Sequence, residues 1–351
     1  MSNYKKISQL LTIILFMAML IVPSTIMFFN PKEKKQNKNE EELSEIDRVN
    51  ELFQKEFGLK TELIDSYFKL KNNINESPLP NSCVIGKNGW YFLGNDYNNL
   101  FDDSFGHNII IDSLELKTIK NNIESIRNFL TSKGIDFKIV VPPNKHRVYP
   151  EYLPYSHPQN KTRLEILNDY LKKEIDFEIL YLRDTLVKAK SEKLLYYKTN
   201  THWNDYGAYI GYNYTMKTLN KTHDLPIAGI EEYEEVIQPI KINDVTQQIN
   251  LTFKEDAIFL QKKDTIEAKI IFRKYRKQVF SNPSKTKKLL MHRDSFANSW
   301  MVFFNESFGS TIYLRGYKLN KKLINKEKPD IVIFEIIERN VFENLSKQQD
   351  L

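Results

Sequence analysis

The sequence predicts an α/β fold, a mostly parallel sheet covered by helices, set behind an N-terminal transmembrane helix. Three observations predict it. Segments of helical periodicity alternate with short β-branched apolar segments, the chain order that builds a parallel sheet. The chain has 351 residues, 41% hydrophobic and 13% aromatic, enough for one large α/β domain with additions or for two domains. Near its start lies an apolar run as long as a bilayer core is thick.

That run is "LLTIILFMAMLIVPSTIMFF", Leu10 to Phe29, and it carries no charge. About 20 helical residues rising about 1.5 Å each reach about 30 Å. A signal peptide has a shorter apolar core, about 7–15 residues, and ends in a small-residue cleavage site. No A-x-A pattern follows here, so residues 1–30 read as a single-pass membrane anchor rather than a cleaved signal or a buried helix. Lys5 and Lys6 precede the span and Lys32, Lys34, Lys35 and Lys38 follow it, so flanking charge leaves its orientation open. An N-terminal anchor before a large domain most often puts that domain outside the cytoplasm.

Residues 31–79 are expected to hold a polar linker and a helical segment. "NPKEKKQNKNEEELSE", from Asn30, is charged and without apolar period. Val49, Leu52, Phe53 and Phe57 then recur at helical spacing. The main domain is read as 80–351. It opens with "VIGKNGWYFLG", two short strands around an Asn88-Gly89 turn. Leu116 to Lys133 is an amphipathic helix with Ile119, Ile123, Ile126 and Leu130 on one face, stopped by Gly134. "DFKIVVPP" follows as a buried strand, Thr162 to Lys173 as a helix, and "FEILYLRD" and "LLYYKT" as strands. The helix after His202 aligns Ala208, Tyr212, Thr215 and Leu219. Residues 224–285 change character and read as a β-rich insertion. The α/β pattern then returns. "KKLLMH" is a strand, "RDSF" a turn, and Phe296, Trp300, Phe303, Phe304 and Phe308 recur at helical spacing. "STIYLR" and "PDIVIFEII" close the pattern as strands.

Composition argues against several functions. The net charge of +6 is spread thinly, with no dense Lys/Arg block interleaved with aromatics, which argues against nucleic acid as a partner. Cys83 is the only cysteine, so an intrachain disulfide and a two-cysteine zinc or redox site are excluded. The histidines at 107, 146, 157, 202, 223 and 292 show no HxH or HxxxH spacing, which argues against a metal.

Two segments lie where α/β folds place function, at the carboxyl ends of strands: "TNTHWND" and "MHRDSFANSW". A serine at a strand-to-helix turn exposes its hydroxyl. The backbone N–H groups that follow, Phe296 first, point toward a developing oxyanion with a helix dipole behind them. Ser295 can thus be a nucleophile and His202 its general base. Two plainer readings stand beside this one. Asp294 or Ser295 is a helix N-cap, and His202 is a packed, hydrogen-bonded side chain.

The segments "GKNGWYFL", "VVPPNKHRVYPEYLP", "TNTHWNDYGA", "RDSF" and "KPDIVIFEIIERN" occur in an order that resembles the SGNH-hydrolase-like domains of the periplasmic alginate O-acetyltransferases of the AlgX/AlgJ type and their DHHW relatives. The resemblance spans roughly residues 80–345 and implies a three-layer α/β/α sandwich. It makes Ser295 the nucleophile and His202 the base. Asn200 falls where the family usually carries an aspartate that orients the histidine. An asparagine can hold the imidazole N–H but brings no charge, and in a serine protease the Asp-to-Asn change costs about 10⁴ in kcat. Asp205 or Asp294 is then a candidate source of the missing charge. Asn144 in "PPNK" is a candidate oxyanion donor, as well as a plain turn residue. Arg339 is a candidate acceptor contact, or else a structural partner of Glu338. Trp90, Tyr91 and Trp203 can stack on sugars, or lie in the core.

The activity so implied is transfer of acetyl groups to hydroxyls of an exported or cell-surface polysaccharide through a serine acyl-enzyme. No metal or organic cofactor is called for, and a multi-spanning membrane O-acyltransferase is the implied acetyl donor. The chain would sit in the inner membrane with its domain in the periplasm or extracytoplasmic space. A polysaccharide acetylesterase and a catalytically impaired polysaccharide-binding or assembly protein remain as alternatives.

Overall fold

The computed structural model describes residues 2–29, 59–107, 109–157, 160–240 and 243–349. Most of the expected linker, with Val49, Leu52, Phe53 and Phe57, lies outside them. The chain divides into two units, Met1–Pro78 and Leu79–Leu351. The first unit contains helices Ser2–Phe29 and Lys60–Asn73. Within Ser2–Phe29, Lys6–Pro23 is long and apolar enough to cross a membrane, and its large side chains from Leu10 to Val22 are exposed.

The second unit is built on a seven-stranded sheet. Its strands are β3 (Asp136–Val141), β4 (Leu180–Tyr181), β7 (Lys269–Lys274), β8 (Lys277–Ser281), β9 (Lys288–Arg293), β10 (Ser310–Arg315) and β11 (Ile331–Glu335). The order is β4-β3-β11-β9-β10-β8-β7. The first five run parallel, and β8 and β7 continue the edge antiparallel. Side chains of successive strand residues point to opposite faces, and both faces are apolar. Leu289 and Met291 of β9 join Ile331 and Ile333 of β11 in one core, with helices Asp205–Leu219 and Met301–Ser307. Leu290, Val332 and Phe334 join the other core, with helices Ser113–Thr131 and Arg163–Ile175. This is the α/β/α sandwich. Each fully buried Leu, Ile or Phe contributes about 1.5–3 kcal/mol, so the helices are held chiefly by these faces.

Caps set the helix ends. The Asp112 side chain accepts from Leu114 N–H, and Thr162 with Glu165 forms a capping box. Asn88 and Gly89, at φ +56° and +77°, turn the hairpin of β1 (Cys83–Ile85) and β2 (Tyr91–Leu93).

Two expected strands differ. "FEILYLRD" contributes only Leu180 and Tyr181. "LLYYKT" is a loop with a single bridge, Tyr196 to Trp203. Its polar groups find other partners: Leu195 N–H donates to the Tyr149 hydroxyl at 2.9 Å and the Tyr196 hydroxyl to Pro143 O at 2.6 Å. The β-rich residues 224–285 divide between two sheets. β5 (Tyr233–Pro239) and β6 (Asp256–Lys262) pair as a separate ribbon, while β7 and β8 belong to the main sheet.

Register decides what meets at the sheet's carboxyl edge. His292 of β9 lies level with Phe334 of β11, and β11 lies level with β3 from Ile331–Asp136 to Glu335–Val140. The residues just beyond these three strands, Ser295, Arg339 and Asn144, therefore emerge along one edge.

Candidate active site

Asp294 closes the turn after β9. Its carboxylate accepts from Phe296 N–H at 2.9 Å and from Ile337 N–H at 2.8 Å, tying the ends of β9 and β11 together. Ser295 follows, partly exposed, and opens a 3₁₀ turn, Phe296–Asn298, ahead of the short helix Met301–Ser307. Phe296, Trp300, Phe303 and Phe304 are buried beneath it. This corrects one expectation: the Phe296 N–H is held by Asp294 and does not face an oxyanion.

His202 comes from the loop between Leu195 and helix Asp205–Leu219. The loop is clamped at its far end, where Asn204 caps the helix through Gly207 N–H. A Cβ on Gly207 would lie 2.3 Å from Leu195 O, so the first helical turn rests directly on loop backbone. Trp203 donates its indole N–H to Phe296 O at 2.9 Å, which joins the His202 loop to the Ser295 turn.

The two loops meet. His202 Nε2 is 2.7 Å from Ser295 Oγ. On the ring's other side Nδ1 is 2.8 Å from Asn200 Oδ1, which also accepts the His202 backbone N–H at 2.9 Å. Two donors on one oxygen fix the amide's orientation. They put the imidazole proton on Nδ1 and leave Nε2 with its lone pair toward the serine. Sequence reasoning did not find the groups behind Asn200. Asp244 accepts from Thr201 N–H and from the Thr201 hydroxyl, both at 2.7 Å, and its Oδ2 is 3.5 Å from His202 Nδ1.

Lys145 is buried and donates to the carbonyls of Tyr197 (3.1 Å), Lys198 (2.9 Å) and Asn200 (2.9 Å). Burial pushes its pKa down to about 7, against the pull of Asp244 and Glu255. Glu255 accepts from Lys198 N–H at 2.6 Å, and from Thr199 N–H at 2.8 Å as well as its hydroxyl. Nothing in "PPNK", "INDV" or "TFKED" marks these as loop braces; their partners lie 43 to 57 residues away.

A small pocket next to the His202 loop is lined by Asn144, Lys145, His146, Thr201, Val245 and Arg339 among others. Asn144 is 1% exposed, and both polar atoms of its side chain lack a hydrogen-bond partner among the described residues. A buried amide left so costs about 1–3 kcal/mol, the kind of orphan that a ligand satisfies. Its backbone N–H is pinned by Glu338 Oε2 at 2.8 Å.

Several expected roles are not met. Glu338 does not pair with Arg339; its other oxygen accepts from the Tyr181 hydroxyl at 2.8 Å, and burial pushes its pKa up to about 7. Arg339 instead lies 5.7 Å from the Phe296 ring centre. Burial lowers its pKa, opposed by Asp294 and Asp244. Asp205 spends its carboxylate on Leu260 N–H of β6 at 3.1 Å and does not serve His202. Asp294 is committed to backbone. Trp90, Tyr91 and Trp203 are at most 6% exposed and belong to the core, not to a sugar platform. Among the described residues no group of three or more His, Cys, Asp or Glu could hold a metal ion.

Residues 83–280 match the family described as SGNH hydrolase-like domain, acetyltransferase AlgX. His202 and Asp244 lie inside that span and Ser295 beyond it. No curated protein matches the chain. Among solved structures, Bacillus cereus PatB1 with a sulfonyl adduct is similar at TM-score 0.55 and 18% identity, over 75% of this chain and 96% of that one. A DHHW family protein from Eubacterium siraeum follows at TM-score 0.52 and 13% identity, over 76% and 98%. The O-acetyltransferase domain of Pseudomonas putida AlgJ is at TM-score 0.49 and 17% identity, over 77% and 94%. Identities this low speak for the fold alone.

Proposed function

We propose a function from the premise that the chain belongs to the SGNH hydrolase-like, AlgX-type acetyltransferase family: it transfers acetyl groups to hydroxyls of an exported or cell-surface polysaccharide. The observation that carries this reading is the linked set Ser295–His202–Asn200, at 2.7 and 2.8 Å. Ser295 Oγ attacks the acetyl carbonyl carbon while His202 Nε2 takes its proton. The tetrahedral intermediate's oxyanion is held by the Asn144 amide and the Ser295 backbone N–H. It collapses to the serine ester, and the departing donor group takes the proton from His202. A sugar hydroxyl then attacks the ester. His202 removes its proton and returns it to Ser295 as the acetylated sugar leaves.

Helix Ser2–Phe29 holds the domain at the membrane, on the extracytoplasmic side, where a multi-spanning O-acyltransferase supplies the acetyl group. The His202 side chain is 26% exposed, so water also reaches the acyl-enzyme. Acetylesterase turnover is therefore expected when no acceptor is present.

The test is incubation of the full chain with an aryl acetate, with and without an oligosaccharide. Transfer gives acetylated sugar by mass spectrometry. Free acetate alone in both arms leaves only the esterase reading, and no aryl release above buffer overturns both.

A further inference from the structure

A histidine base needs two services from the groups behind it: an acceptor that sets its tautomer, and a negative charge that stabilises the imidazolium. Asn200 performs only the first. Resting on the Ser295–His202 reading above, we propose that Asp244 is the positioning residue that performs the second, from the connection between β5 and β6.

The geometry separates the two services between two chain segments. Asn200 Oδ1 takes both His202 donors. Asp244 stands just outside, its Oδ2 3.5 Å from Nδ1. The Thr201 hydroxyl sits between them, 2.7 Å from that oxygen and 3.2 Å from Nδ1. Thr201 is the residue next to His202, so carboxylate and imidazole are held in one frame. The connection is docked on the loop at neighbouring points: Asn243 donates to the Thr199 hydroxyl at 2.7 Å, and Val245 N–H to Thr199 O at 3.3 Å.

The surrounding charges favour an ionised Asp244. Burial opposes its charge, but the nearby His202 ring and the hydrogen bonds from Thr201 hold its carboxyl below the ordinary carboxylate range. Lys145 and Arg339 are the cations that feel it. The other nearby acids are committed elsewhere: Glu255 to Lys198 and Thr199, Asp294 to Phe296 and Ile337, Asp205 to Leu260. Asp244 is thus the carboxylate placed to answer a proton arriving on His202. A loop brace alone would not need the charge, because an asparagine can meet the same two Thr201 groups.

The test compares four full-length proteins: wild type, Asp244→Asn, Asn200→Asp and the double variant. Each is assayed for aryl acetate turnover across pH, for labelling of Ser295 by a sulfonyl fluoride, and for thermal melting. Asp244→Asn should lower kcat/KM about 10- to 100-fold, less than the about 10⁴ seen where one aspartate provides both services. Its acid limb should move to lower pH, since an imidazolium without its anion gives up the proton more readily. Asn200→Asp should restore most of the lost rate in the Asp244→Asn background.

Asp244→Asn within twofold of wild type overturns the inference. So does a loss of rate, or of folding, that Asn200→Asp does not repair, since a charge returned beside His202 would then not be what the variant lacked. A wild type that neither turns over nor labels brings down the Ser295–His202 reading itself, a result distinct from either.

Discussion

Ser295 and His202 meet at 2.7 Å, yet the chain holds them by different means. Ser295 stands two residues past β9, which is paired on both sides by β10 and β11. Beneath it lie four buried aromatic rings, Phe296, Trp300, Phe303 and Phe304. Its position is set by a hydrogen-bond ladder and apolar packing, with side-chain hydrogen bonds of Asp294, Glu335 and Arg293 added at the turn itself. His202 stands on a loop with one β-bridge. Lys145, Glu255, Asn243 and Asp244 hold that loop from other parts of the chain, three of them through ionisable side chains. The proposed nucleophile is therefore placed chiefly by a central strand and its packing, and the proposed base chiefly by polar contacts from distant parts of the chain. Substitutions and pH should act mainly on the base.

Asn144→Ala should give the largest effect among the supporting residues. It removes the proposed oxyanion donor from the sheet edge, and kcat for an aryl acetate should fall about 10²- to 10³-fold with KM little changed. A rise in KM alone would mean that Asn144 binds ground state and transition state equally. Lys145→Met comes next. It strands three carbonyls, each costing about 1–3 kcal/mol if buried unpaired, so activity should drop about 100-fold and the melting temperature should fall with it. An unchanged melt and rate would show that the loop holds without its cation.

Lys145 also gives a pH test. Its pKa falls from 10.5 in the ordinary case to about 7 in the folded protein. Between these values the unfolded chain keeps a proton that the native chain has lost. Stability should therefore rise with pH across that window, by up to about 1.4 kcal/mol per unit from this group, and the slope should vanish below about pH 7. Denaturant titrations at several pH values should show the slope in wild type and a smaller one in Lys145→Met. Equal slopes would assign the proton elsewhere.

Smaller effects sharpen the contrast. Glu255→Gln keeps one acceptor for the loop N–H groups and should cost about tenfold in kcat/KM, with the pair's geometry loosened rather than lost. Trp203→Phe removes the bond to Phe296 O while keeping most of the apolar ring; it should cost about 1 kcal/mol of stability and only a few-fold in rate. A greater loss from Trp203→Phe than from Lys145→Met would reverse the division between the two regions.

The same division explains what the sequence made legible. Strands β3, β9, β10 and β11 and the helices over them carry periodic apolar residues, and Ser295 could be placed at a strand end from that pattern alone. The pairing with His202 needed the spatial order of the strands, which periodicity does not contain. Asp244 was hidden for a stronger reason. It lies in a polar stretch, "KINDVTQQ", whose function depends on docking against Thr199 and Thr201 more than 40 residues earlier. The oxyanion role expected for Phe296 N–H failed on a local detail, the Asp294 side chain folding back two residues along the chain as in an Asx-turn. Trp203 looked like a sugar platform because a tryptophan beside a histidine reads the same whether it faces solvent or core.

The central claim is that Ser295 becomes acetylated with His202 as its base. Intact-protein mass spectrometry after a brief incubation with aryl acetate and an acid quench tests it most directly. We predict a single added acetyl group, mapped to the peptide that contains Ser295, absent in Ser295→Ala and formed far more slowly in His202→Ala. Aryl release with no acetyl on Ser295, or an adduct that persists in Ser295→Ala, would contradict the account.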